Sequence, residues 1–313
     1  MTALVTGAAG FIGSHLAAAL VAAGERVRGV DLFTDYYARE RKERNVAPLL
    51  RSAAFELVEV DLIDADLAPL LRDVDVVYHL AGQPGVRPSW GRDFSIYARH
   101  NVLATQSLLE AIRRRPVRKV VYASSSSVYG NAEAYPTSEA VRPQPLSPYG
   151  VTKLAAEHLC ELYRTNFGVP TVSLRLFTAY GPRQRPDMAF SRLIRSALEG
   201  GTFELFGDGN QTRDFTYVTD VVRAFRDAAR SEWVGVANVG GGSRVSMNHV
   251  LAILEELGAR IDVRRGPPQA GDVTHTAADI SIAAGAFGYA PTTSVRDGLA
   301  SMLSSARSEV VLA

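Results

Sequence analysis

The chain reads as an α/β protein: a doubly wound parallel sheet over residues 1–176, then a smaller C-terminal lobe over 177–313, some of whose strands and helices return to the first part. Three observations predict this. A strand runs at once into a glycine-rich turn and an amphipathic helix, Thr2–Thr6 followed by GAAGFIG. Short apolar segments then alternate with longer helical ones to about residue 176, a pattern that gives parallel strands joined by right-handed crossovers. Beyond about residue 177 the alternation weakens and Gly- and Pro-rich loops take over.

Thr2–Thr6 is expected as a buried strand and Phe11–Ala23 as a helix that stops at Gly24. Between them, Gly7, Gly10 and Gly13 let backbone approach a pyrophosphate at the helix N-terminus, where unpaired amides and the dipole favour anions. A loose glycine triplet alone is weak evidence; the strand, turn and helix in the required order make it a dinucleotide-binding turn of the Rossmann type. The next strand, Val27–Val30, ends in Asp31, eighteen residues after Gly13. A carboxylate there accepts hydrogen bonds from the adenosine ribose and repels a 2′-phosphate, which argues for NAD over NADP. The alternative is a glycine-rich turn without a ligand.

Asp35–Asn45, DYYARERKERN, is expected as a charged helical insertion, and charge runs are usually solvated faces. Strand Phe55–Val60 follows. Strand Asp75–Leu80 then runs into AGQPGVR, where Ala81 and Gly82 let the loop lie against a cofactor and Arg87 either reaches a phosphate or stays on the surface. A long helix, Ile96–Arg114, contains Asn101; strand Lys119–Ala123, helix Tyr149–Phe167 and strand Thr171–Leu176 complete the alternation.

Tyr149 and Lys153 lie four residues apart, which on a helix sets both on one face about a turn apart, so that an ammonium can stand close to a phenol. A free tyrosine titrates near pH 10, so acting as a base near neutrality needs a shift of roughly 3 units, about 4 kcal/mol, and a nearby cation is the plainest source. Taken alone, the pair is also what a half-buried helix tyrosine and a solvated lysine would give. Two features shift the balance: Lys153 is one of only three lysines in an Arg-rich chain, and the strand KVVYASSSS ends in a serine run whose hydroxyl can face the pair.

With these residues the sequence resembles the extended short-chain dehydrogenase/reductase family, whose catalytic Ser/Thr, Tyr and Lys match Ser125, Tyr149 and Lys153. The resemblance covers the chain to about residue 300 and falls in its nucleotide-sugar epimerase branch. D-Y-Y followed by a Lys and an Arg looks like UDP-glucuronate 4-epimerases. It implies an NAD site made by Gly7, Gly10, Phe11, Ile12, Gly13, Asp31, Asp61, Leu62, Leu80, Ala81, Gly82, Tyr149, Lys153 and Phe177. Asp61 and Leu62 match the pair that contacts adenine. FTAYGPRQRPDMAF and ELFGDGNQTRDFTYVTD resemble nucleotide-sugar-binding segments. In them Phe206 is expected to pack against uracil and Arg213 to pair with the diphosphate, while Asp272 in QAGD holds the uridine ribose. Gln269 stands where galactose epimerases often carry an arginine, which puts one phosphate contact in doubt. Thr178 and Arg185 fall where UDP-glucuronate epimerases hold the substrate carboxylate, beside Met188; Asp187 is the alternative partner for Arg185. Ordinary core or surface duty is the alternative for Phe206, Arg213 and Asp272.

The implied reaction is inversion at carbon 4 of a UDP-sugar, UDP-glucuronate to UDP-galacturonate, through a transient 4-keto sugar. Tyr149 removes the 4-hydroxyl proton, Ser125 hydrogen-bonds that oxygen, and Lys153 binds the nicotinamide ribose. The two residues after Ser125 discriminate among relatives. Sugar-nucleotide 4,6-dehydratases place Asp-Glu there and UDP-glucuronate decarboxylases carry a Glu just before V-Y-G, whereas Ser126 and Ser127 cannot serve as acid or base and can add donors to a carboxylate. UDP-glucose 4-epimerase is the runner-up, followed by the decarboxylase and a non-catalytic NAD-binding scaffold.

Composition agrees with a small-molecule enzyme. Across 313 residues the net charge is +1 and the arginines are scattered among the acids, which argues against a nucleic-acid partner. Cys160 is the single cysteine, so no intrachain disulfide is possible, and it is expected as a buried structural thiol. The six histidines have no metal-ligand spacing. With no apolar run of spanning length and no leader-like start, a soluble cytoplasmic protein is expected. By resemblance it is a homodimer through its two long helices.

Overall fold

The computed structural model describes residues 1–267 and 273–311. The elements run β1 Thr2–Thr6, α1 Phe11–Ala22, β2 Arg26–Asp31, α2 Arg39–Val46, β3 Phe55–Glu59, β4 Val76–His79, α3 Phe94–Tyr97, α4 Ala104–Arg114, β5 Lys119–Ser125, α5 Pro148–Phe167 and β6 Thr171–Leu176. There follow β7 Thr178–Tyr180, α6 Ala189–Glu199, β8 Thr202–Phe206, β9 Thr212–Tyr217, α7 Val218–Arg230, β10 Gly235–Val239, β11 Arg244–Ser246, α8 Met247–Glu256, β12 Asp262–Gly266, α9 Ser281–Phe287 and α10 Val295–Val311.

Seven strands form the main sheet in the order β10-β6-β5-β4-β1-β2-β3, and every pairing in it is parallel. Helices cover both faces. That is why every residue of β4 and β5 is buried and why these strands read as continuous apolar runs rather than alternating ones. On one face α1 and α7 pack around Leu16, Leu20, Val221 and Phe225; on the other α4 and α5 pack around Leu108, Ile112, Ala156 and Cys160. Cys160 is buried, as expected of a structural thiol. The strand order reverses between β1 and β4, and in open parallel sheets the crevice at such a reversal is where ligands bind.

The remaining strands form a three-stranded sheet, β11-β9-β7, and a two-stranded one, β12-β8. The fifth strand runs two residues further than expected, to Ser125, so the serine run turns directly off the sheet. The 35–45 insertion is helical only from Arg39; before it, residues 33–38 cross the surface as irregular chain. The long helix expected at 96–114 is interrupted by a π-helical stretch, Ala98–Leu103, that holds Asn101. No helix among the described residues is long and apolar enough to cross a membrane.

Candidate active site

The cleft at the sheet reversal has a volume of about 440 Å³. Its floor is the first turn. Gly7 has φ +70°, and a Cβ on it would meet the Ala81 nitrogen at 2.9 Å, while a Cβ on Gly13 would lie 2.0 Å from the Gly7 carbonyl oxygen. Only glycine lets this turn, the β4 loop and α1 come so close. The N-cap of α1 is Gly10, which offers no side-chain acceptor, so the first amides of the helix and its dipole are directed at the cleft. That cradle fits a pyrophosphate.

Asp31 closes the adenosine end. Its Oδ2 accepts from Ala9 N–H at 3.1 Å and its Oδ1 from Phe33 N–H at 2.8 Å. Lys42, buried on α2, stands 3.6 Å from Oδ1 and also donates to the Thr34 carbonyl at 3.1 Å. Asp61 accepts from Ile63 N–H at 2.9 Å and from Arg99 at 2.9 Å. Phe11, Ile12, Leu62, Leu80, Ala81, Gly82 and Phe177 all line the same cleft.

A buried hydrogen-bond chain ties this floor to α5. Leu80 and Ala81 N–H donate to Thr6 Oγ1 at 3.2 and 3.1 Å, and Thr6 Oγ1 lies 2.8 Å from His79 Nδ1. His79 Nε2 is 3.0 Å from Thr105 Oγ1, whose hydroxyl donates to the Asn101 carbonyl at 2.6 Å. Burial pushes His79 down to about 3, so the imidazole is neutral, accepting from Thr6 and donating to Thr105. The Asn101 side chain accepts from Gln83 N–H at 2.7 Å and donates to Thr152 Oγ1 at 2.9 Å; Thr152 in turn donates to the Tyr149 carbonyl at 2.8 Å. The π-helical widening at 98–103 aims Asn101 inward, a use such insertions often have at functional sites.

Ser147 and Pro148 set where α5 begins. The Ser147 hydroxyl accepts from Gly150 N–H at 3.1 Å and Pro148 occupies the first turn. A Cβ on Gly150 would lie 2.6 Å from the Ser127 carbonyl oxygen, so the absence of a side chain there lets Tyr149 stand against the end of β5. Tyr149 and Ser125 line the cleft together, and Ser125 Oγ accepts from Ser127 N–H at 3.1 Å. In the ligand-free protein burial raises the Tyr149 phenol above the usual tyrosine range, while Ser125 and the Arg185 charge pull it down. Burial lowers Lys153 to about 7, against smaller opposing pulls from Cys160 and Glu157. Its ammonium stands 4.4 Å from the centre of the Tyr122 ring.

Ser126, Ser127, Thr178, Arg185 and Met188 line the same cleft. Ser126, Ser127 and Thr178 also line an adjoining cavity of about 170 Å³ with Val86 and Arg213. Arg213 donates to the carbonyls of Thr212 at 3.0 Å and Thr274 at 3.2 Å. Arg87 and Phe206 stand in neither wall; the Arg87 guanidinium lies 4.5 Å from the centre of the Phe206 ring. Arg185 takes the partner that its neighbour in sequence offered: its Nε and Nη2 donate to the two oxygens of Asp187, each at 3.0 Å. Gln269 and Asp272 lie outside the described residues.

Residues 3–240 match the model of the NAD dependent epimerase/dehydratase family. The chain belongs to that family. It is 46% identical over 303 residues to a Bacillus subtilis protein described as an uncharacterized UDP-glucose epimerase, with 96% of each chain covered. UDP-glucuronate 4-epimerase 2 of Arabidopsis thaliana is 39% identical over 324 residues, 96% of this chain and 74% of that one. Among solved structures, UDP-glucuronic acid 4-epimerase from Bacillus cereus in complex with UDP-glucuronic acid and NAD superposes with a TM-score of 0.95 at 44% identity, over 99% of this chain and 100% of that chain.

Within this family site, sequence reasoning missed Thr6, His79, Thr105 and Thr152; Lys42 and Tyr36 entered only as parts of the D-Y-Y, Lys and Arg resemblance and Asn101 only as a member of its helix, none with a contact assigned. The threonines, the histidine and the asparagine sit in apolar or charged runs, where spacing says nothing of partners as far off as the 73 residues between Thr6 and His79.

Proposed function

We propose that the protein is an NAD-dependent UDP-sugar 4-epimerase whose substrate is UDP-glucuronate and whose product is UDP-galacturonate. One observation carries the reading: Ser125, Tyr149 and Lys153 share a cleft with Ser126, Ser127, Thr178 and Arg185, so hydroxyl-proton chemistry and carboxylate recognition sit side by side, with serines where dehydratases and decarboxylases need an acid. The similarity to enzymes named for this reaction supports it.

The glycine turn and the uncapped start of α1 hold the NAD pyrophosphate, Asp31 takes the adenosine ribose hydroxyls, and Lys153 takes the nicotinamide ribose. When bound, NAD supplies the hydride acceptor and donor at carbon 4 and a positive charge beside the phenol. Tyr149 takes the 4-hydroxyl proton at its Oη and returns it after the 4-keto sugar has turned over, with Ser125 bonding the same oxygen throughout. Because burial raises the Tyr149 phenol, its base form depends on the positive charge gathered around it, Arg185 included. Arg185, Ser126, Ser127 and Thr178 hold the carboxylate; Arg87, Phe206, Arg213 and Asp272 serve the uridine diphosphate, and Met188 shapes the sugar site. In this reading residues 1–176 bind NAD and 177–313 mainly bind the sugar nucleotide.

The protein works as a cytoplasmic homodimer. Val151 and Leu162 are exposed on α5 and Leu103 beside α4, an apolar surface suited to a second copy; light scattering after gel filtration reads the mass. UDP-glucose 4-epimerase is the second reading, favoured by the Bacillus subtilis relative. Incubation with UDP-glucuronate and with UDP-glucose, products read by NMR, decides between them: conversion of the acid alone or far faster supports the proposal, and conversion of UDP-glucose alone overturns it.

A further inference from the structure

We propose that Asp187 and Tyr36 are positioning residues that aim Arg185 at the substrate carboxylate, a role that rests on the reading of Arg185 given above. A guanidinium is a planar fork with two edges that can each donate twice. Asp187 takes one edge, Nε and Nη2, both at 3.0 Å. The other edge, Nη1 with the second Nη2 hydrogen, has no partner among the described residues, and Arg185 lines the cleft. Asp187 therefore does not compete with a substrate carboxylate. It fixes the plane and direction of the fork, so that the second edge is presented without first being ordered, and preorganisation of this kind adds affinity by lowering the entropy lost on binding.

Tyr36 braces the pair from the opposite wall. Its hydroxyl donates to Asp187 Oδ2 at 3.3 Å, and the Arg185 guanidinium carbon lies 5.7 Å from its ring centre. It comes from residues 33–38, which follow β2, whereas Arg185 and Asp187 follow β7, so the contact ties two segments far apart in the chain. Gly85, at φ +110°, makes the room: a Cβ there would lie 2.6 Å from Tyr36 Oη and 3.1 Å from Tyr97 Oη. Tyr36 and Asp187 together account for the D-Y-Y and R-x-R-P-D stretches as one device. A substrate without a carboxylate gains no binding from it, which makes the device a determinant of which sugar nucleotide is bound more tightly.

The test uses the NAD-loaded enzyme and its Arg185→Ala, Asp187→Asn, Asp187→Glu and Tyr36→Phe variants, with the Kd of UDP-glucuronate and of UDP-glucose measured by calorimetry. Arg185→Ala is expected to weaken UDP-glucuronate by about tenfold or more and UDP-glucose little. Asp187→Asn is expected to weaken UDP-glucuronate by about three- to tenfold with UDP-glucose changed by less than about twofold, Tyr36→Phe to act in the same direction by less, and Asp187→Glu to restore part of the loss. If Arg185→Ala loses the preference while Asp187→Asn keeps it, the positioning role is wrong and the carboxylate reading stands. If Arg185→Ala also keeps it, the carboxylate reading itself fails. An equal loss on both sugars from Asp187→Asn makes Asp187 a loop staple, and tighter UDP-glucuronate binding makes it a competitor; either overturns the proposal.

Discussion

Tyr149 sits in surroundings that oppose its chemistry, since burial favours the neutral phenol while Ser125 and Arg185 pull the other way. Removing the hydroxyl should therefore remove the reaction and little else. Tyr149→Phe is expected to lower kcat by about a thousandfold or more, within the range that general acid–base groups contribute with their partners, while NAD remains bound and the melting temperature hardly moves. Near-normal turnover would take Tyr149 out of the base role. Lys153 gives a prediction about stability. Its pKa is about 7 in the fold against 10.5 ordinarily, so between those values the unfolded chain holds a proton that the folded chain has given up, and stability rises with pH. Below about 7 both forms are charged and the cost of burial is constant. The stability of the ligand-free protein minus that of Lys153→Met should rise by on the order of 3–5 kcal/mol from pH 7 to 10.5, as read by denaturant titrations at several pH values; a flat difference would show that Lys153 titrates normally. At this scale Ser125, Tyr149 and Lys153 were legible because they depend on local spacing. The charge balance was not: Arg185 reaches Tyr149, and Lys42 reaches Asp31, only through the folded chain.

Helix α5 shows how one element fixes the site. Ser147 and Pro148 start it, and Gly150 lets its first turn press against Ser127. Alanine at 150 would gain about 0.5–1 kcal/mol of helix propensity. Its Cβ, however, would sit 2.6 Å from a backbone oxygen, a clash that costs about 1–3 kcal/mol. The clash should win, so Gly150→Ala is expected to lower stability by about 1 kcal/mol or more and to reduce kcat by moving Tyr149 off Ser125. A more stable variant with normal kcat would show that the contact is slack. The six strands up to residue 176 and helices α1 and α5 were legible within two residues, because buried parallel strands read as apolar runs. The π-helical stretch at 98–103 was not, since it has no composition of its own; it is held by the side-chain contacts of Asn101.

At the scale of the molecule, the cleft exists because the order of the parallel sheet reverses between β1 and β4. The same cleft brings together segments far apart in the sequence, Asp31 and Tyr36 with Thr178 and Arg185. The alternation of strands and helices made the first half of this readable. The return of β10 to pair with β6 was expected only in general terms, because a five-residue strand carries no mark of the sheet it joins. In the proposed reaction hydrogen leaves carbon 4 of UDP-glucuronate as hydride and comes back to the same carbon on the other face, without exchange with water. The most direct test is incubation with UDP-glucuronate deuterated at carbon 4, the product being read by NMR and mass spectrometry. UDP-galacturonate that keeps its deuterium at carbon 4 is the predicted result; loss of the label to water, or inversion at another carbon, would contradict the account.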